Sequence, residues 1–81
     1  MEIKILGSGC PNCKRLEKLA REAAAEADVK ATFTKVKEMD AIIAYDVMST
    51  PALVINEQVK SSGRIPRNEE IAEWIRAAQS L

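Results

Sequence analysis

The chain has 81 residues, the size of one small domain that buries only about 60% of its unfolded surface and has room for one core. Lys plus Arg and Asp plus Glu each total 12, so no net field draws nucleic acid, an anionic membrane or an acidic substrate from a distance. No apolar run approaches the roughly 18 residues of a spanning helix. Four residues separate Glu2 from Gly7, too few for the apolar core of a signal peptide. A cytoplasmic protein without membrane or nucleic-acid partners is therefore expected.

In chain order, Glu2 to Ile5 alternate polar with β-branched residues, Leu6 extends the run and Gly7, Ser8 and Gly9 end it; this predicts a strand entering a flexible loop. From Pro11 the period becomes helical, with Cys13, Leu16, Ala20, Ala23 and Ala27 on one stripe and Lys14, Arg15, Lys18, Arg21 and Glu22 opposite. Val29 to Val36 suits a second strand, its alternation broken at Lys35. Lys37 to about Asp46 suits a short helix with Met39, Ile42 and Ile43 inward, and Val47 to Thr50 a connector.

Ala52 to Ile55 is a continuous apolar run behind Pro51, as expected of a central strand covered on both faces. Asn56, Glu57 and Gln58 suit a turn into a strand over Val59 to Ser62, and Gly63 to Pro66 an exit loop. A last helix begins near Arg67 or Asn68, with Asn68 its candidate cap and Ile71, Trp74, Ile75 and Ala78 on one face. The order βαβαββα predicts an α/β domain over residues 1–81: a four-stranded mixed sheet with helices on both faces.

The chemistry concentrates in Cys10-Pro11-Asn12-Cys13. A bridge across so small a loop is a poor structural staple, worth only about 2 kcal/mol on the chain-entropy model. Without an export signal, such a pair reads as catalytic, redox-sensing or metal-binding. Cys10 falls where a helix N-cap would be, and proline suits the first helical position. The helix dipole and unpaired amides there stabilise an anion by up to about 2 kcal/mol, enough to bring a thiol from about 8.5 toward about 7. Lys14 and Arg15 would add to this, although a solvated basic face explains them as well.

Cys13, on the apolar stripe, would lie inward. Cys10 is then the candidate nucleophile, attacking a substrate disulfide to form a mixed disulfide, and Cys13 the candidate resolving cysteine, leaving an internal bridge for an external reductant to reopen. A metal module is the alternative, because two cysteines supply half of a tetrahedral zinc site. With no His and no further Cys, closing it would take carboxylates, a second chain or two-coordinate Cu(I). A redox-sensing module without turnover is a third reading.

The order of elements, Cys10-Pro11-Asn12-Cys13 and the segment from Tyr45 through Ser49-Thr50-Pro51 to Asn56 together resemble the thioredoxin superfamily over essentially the whole chain. The match is most similar to the small redox-active disulfide group of archaea and bacteria, which resembles glutaredoxin in size. The resemblance implies a protein disulfide oxidoreductase, a cis Thr50-Pro51 peptide beside the cysteines, and a Thr50 backbone that pairs with an extended substrate, with Pro11 and Asn12 also at the substrate site.

It further implies a disulfide-containing protein or small molecule as substrate, a reductase or thiol as electron donor, a monomer, and no cofactor or metal. Gly9 stands where thioredoxins carry tryptophan, and the first strand lacks their buried acid. Ser61-Ser62-Gly63 stands where glutaredoxins place a glutathione contact. Trp74 and Tyr45 read as packing residues, and Arg64 as surface charge.

Overall fold

The computed structural model describes residues 1–7, 9, 11–47 and 49–79. Its elements are β1 (Glu2–Leu6), α1 (Pro11–Glu26), β2 (Thr32–Val36), α2 (Met39–Ala44), β3 (Ala52–Ile55), β4 (Gln58–Ser62) and α3 (Asn68–Gln79). The strands form one mixed sheet ordered β2-β1-β3-β4. β1 runs parallel to β2, Glu2 opposite Thr32 through Leu6 opposite Val36, because α1 supplies the crossover a parallel pair requires. β3 lies antiparallel to β1 and to β4. The expected order and mixed sheet are what forms.

The strand period of two divides the core. Ile3, Ile5, Leu53 and Ile55 face one way and close against Leu16, Ala20, Ala23 and Ala24 of α1 and Ile71, Ala72 and Ile75 of α3. Leu6, Ala52 and Val54 face the other way and meet Ile42 of α2 and Val47 beyond it. All four residues of β3 are buried, as the uninterrupted apolar run predicts for a strand covered on both sides. The β3–β4 hairpin turns on Asn56 and Glu57, both at positive φ (50° and 68°), the signature of a two-residue type I′ turn. Asn56 Oδ1 also accepts a hydrogen bond from the Glu2 N–H at 3.0 Å.

Five expectations need correction. The second strand starts at Thr32 rather than Val29. α1 ends in a Schellman motif, with Asp28 left-handed at φ 55° and N–H bonds from Asp28 to Ala25 O and from Val29 to Ala24 O. Val29 is thus spent on closing the helix. Nor does the strand break at Lys35, which continues in register opposite Ile5.

The middle helix is shorter than predicted and buries Ile42 alone, while Met39 and Ile43 are 66% and 60% exposed. One and a half turns on a small sheet face seat a single apolar position. β4 takes in Gln58, so the turn has two residues rather than three. Finally, Asn68 is the first helical residue of α3 rather than its cap. The Arg67 N–H donates to Glu70 Oε1 at 3.2 Å and the Arg67 carbonyl accepts from Ile71, so glutamate reaches back as in a capping box.

Candidate active site

The site forms where β1 runs into α1, beside the start of β3. Pro11 opens α1, where its missing N–H is no loss and its fixed φ suits the helix. Two residues on, Cys13 begins the buried stripe and is 5% exposed, whereas Pro11 and Asn12 are exposed. No described cysteine is a free thiol. The inward placement of Cys13 agrees with the helical spacing that predicts it. Cys10, together with Ser8 and Met48, lies outside the described residues.

The backbone of Gly7 presses on Cys13. A Cβ at Gly7 would collide with Cys13 Sγ, approach Cys13 Cβ to 3.4 Å and reach Thr50 Cβ at 3.9 Å. Gly7 thus sits between the buried sulfur and Thr50, and its N–H, bonded to Val36 O at 2.9 Å, fixes it in the sheet. Only a residue without a side chain fits. Gly9 has φ +87°, a conformation that suits glycine and strains a bulky residue such as tryptophan.

Thr50-Pro51 is a cis peptide, as the resemblance implies. Thr50 is exposed and Pro51 buried, so the pair stands at the surface end of β3. Gly63, after β4, secures this loop. Its N–H donates to Pro51 O at 2.9 Å, it has φ +72°, and a Cβ there would lie 2.9 Å from Ser49 Cβ.

A cleft of about 350 Å³, open solvent included, adjoins the sulfur at the carboxyl ends of β1 and β2, with Ile5, Gly7, Cys13, Lys14, Glu17, Lys35 and Lys37 among its lining. Glu17 lies one helical turn after Cys13, and its side chain is only 15% exposed. It accepts from Lys35 Nζ at 3.1 Å and from Arg21 Nη2 at 3.0 Å. The Lys35 ammonium foremost, then Arg21, holds the Glu17 carboxyl below its ordinary range, against the opposing effect of burial.

The structure therefore brings Cys13, Pro11, Asn12, Thr50 and Pro51 to one end of the sheet. The other candidates lie in packing or ion-pair networks. Trp74 packs half-buried against the main core. Arg64 pairs with Glu70 at 3.0 Å. The Tyr45 hydroxyl accepts from Lys4 Nζ at 2.7 Å and donates to Glu57 at 2.9 Å; Glu57 and then Tyr45 raise the Lys4 pKa above its ordinary value.

Sequence reasoning missed Gly7, Glu17 and Gly63. Gly7 carried a weak signal, a glycine at the end of a strand three residues before the cysteine pair. Glu17 had the i, i+4 spacing from Cys13 that puts two side chains on neighbouring turns. Among the described residues, no group of three or more His, Cys, Asp or Glu is placed to hold a metal, and no helix is long and apolar enough to cross a membrane.

Comparison with known proteins points the same way as the geometry. A family model described as a thioredoxin domain matches residues 1–76. The chain is similar to a thioredoxin of Methanothermobacter thermautotrophicus, 45% identical over 71 residues that make up 88% of this chain and 92% of that protein. It is also similar to a thioredoxin of Methanocaldococcus jannaschii, 31% identical over 75 residues, or 93% of this chain and 86% of that one. With the mixed sheet, the buried Cys13 and the cis Thr50-Pro51 peptide at one end of it, the chain belongs to the thioredoxin-domain family of thiol-disulfide oxidoreductases.

Proposed function

We propose that this chain is a protein disulfide oxidoreductase working through a reversible Cys10/Cys13 dithiol-disulfide couple. The supporting observation is the packing of the Gly7 backbone between the buried Cys13 sulfur and Thr50. It gives Cys13 the sequestered position a resolving thiol requires and puts the residue before Pro51 within reach of the same centre. Cys10 is the nucleophile. As a thiolate it attacks one sulfur of a substrate disulfide, forming a mixed disulfide and expelling the other sulfur as a thiolate. Cys13 then attacks the Cys10 sulfur and releases the reduced substrate. Thr50 and Pro51, with the exposed Pro11 and Asn12, form the substrate rim.

The protein acts as a monomer in the cytoplasm, as a single domain over residues 1–81. It needs no cofactor or metal, and an external thiol or reductase returns it to the dithiol. Trapping tests the division of labour. The Cys13→Ser protein, mixed with a disulfide substrate, should accumulate a mixed disulfide that mass mapping assigns to Cys10, whereas Cys10→Ser should yield no adduct and no turnover. Adducts of equal yield on Cys13 in the Cys10→Ser protein would refute the assignment.

A further inference from the structure

We infer that the cleft beside Cys13 is a binding site for small anionic disulfides, those whose sulfurs carry short carboxylate- or sulfonate-bearing arms. The inference rests on the thiol-disulfide chemistry proposed above and adds a substrate preference to it. Net charge over the chain is zero, but the charges are segregated. Between Pro11 and Arg21 the chain carries Lys14, Arg15, Lys18 and Arg21 against Glu17 alone, and Lys35 and Lys37 come from β2 and the residues after it.

Three of these cations, Lys14, Lys35 and Lys37, line the cleft that also contains Cys13, and Glu17 is its one acid among the described residues. Glu17 does not offset all three. Its carboxylate is engaged by Lys35 and Arg21, and among the described residues no ion pair occupies Lys14 or Lys37. Lys14, from the first turn of α1, and Lys37, just past β2, thus leave a positive surplus in a concave site at the carboxyl ends of the parallel strands, where ligands of open α/β sheets lie.

A concave site raises the local concentration of an oppositely charged ligand. The cleft is shallow, with about 50 Å³ open to water-sized groups, so it has room for one short charged arm of a compact disulfide rather than for a whole ligand. The chemistry balances without a further reagent. The Cys10 thiolate attacks R–S–S–R, one R–S⁻ leaves, and Cys13 displaces the second R–S⁻ from Cys10. The two protein thiols lose two electrons and become a disulfide, the substrate gains them as two thiols, and the two thiol protons pass through solvent to the products.

The test uses the pre-reduced protein, freed of reductant, in single turnovers with three disulfides of similar size: 3,3′-dithiodipropionate (anionic), 2-hydroxyethyl disulfide (neutral) and cystamine (cationic). At low ionic strength, the second-order rate constant for dithiodipropionate should exceed that for cystamine by about tenfold. The ratio should fall toward one in about 0.5 M salt, where the Debye length shrinks to a few ångströms. It should also fall toward one in Lys14→Gln/Lys37→Gln and persist in Lys14→Arg/Lys37→Arg. Equal rates, a cationic preference, or an anionic preference indifferent to the glutamine pair would overturn the inference and leave the redox reading standing. Failure to reduce any of the three would overturn both.

Discussion

At Gly7 the constraint is one of space. The backbone comes so close to Cys13 that a methyl group has nowhere to go, and the neighbours are a helix turn and a strand end, neither of which moves cheaply. Gly7→Ala should therefore cost about 1–3 kcal/mol, the range for overpacking a closed site, measured by denaturant unfolding of the oxidised protein. Gly9→Ala at φ +87°, with no atom within 4 Å of its Cβ, isolates backbone strain from collision. A Gly7→Ala protein as stable as the parent would show that the Cys13 environment is looser than described. The sequence marks Gly7 only as the glycine that ends an apolar run and Gly9 as the one two residues on; the close approach at Gly7 depends on Cys13 packing back from the next helix.

At the scale of elements, α1 is joined to edge strand β2 by charge as well as by apolar packing. Glu17 bridges to Lys35, and the Arg21 guanidinium lies over the Phe33 ring at 4.6 Å. Because Glu17 titrates below its ordinary 4.5 when folded, its contribution to stability is fully present above that pH and is lost as pH falls through the lower, folded-state value. Glu17→Gln should thus lower stability at neutral pH and flatten the acid-side decline, read from urea midpoints between about pH 6 and pH 3. Glu70→Gln should change less, since the Glu70 side chain is 38% exposed against 15% for Glu17 and its ion pair is better screened by solvent. An unaltered acid slope in Glu17→Gln would remove this bridge from the account. The same elements mark how far periodicity reaches. β1, β3 and the buried stripe of α1 follow from spacing because each faces one dense core. The start of β2 depends on a helix-closing motif with Asp28 in place of glycine, and α2 is limited by the small face it covers, so neither could be read from the run of residue types.

For the whole molecule, zero net charge is compatible with a lysine-lined cleft beside the Cys13 side chain. Totals of charge describe long-range recruitment; the folding of α1 against β2 decides the local field. The architecture was legible from the order of strands and helices, and two parts of the site from a cysteine spacing and a Thr-Pro pair. The tertiary contacts of Gly7, Glu17 and Gly63 were not legible, because each joins residues that only the sheet brings together. The most direct measurement is equilibration of the protein in defined thiol-disulfide buffers, with rapid alkylation and mass mapping of each cysteine across pH. One two-electron transition that converts Cys10 and Cys13 together, with Cys10 alkylated first and titrating well below the free-thiol value of about 8.5, is the predicted result. Two thiols that oxidise independently, or that titrate together near about 8.5, would contradict it.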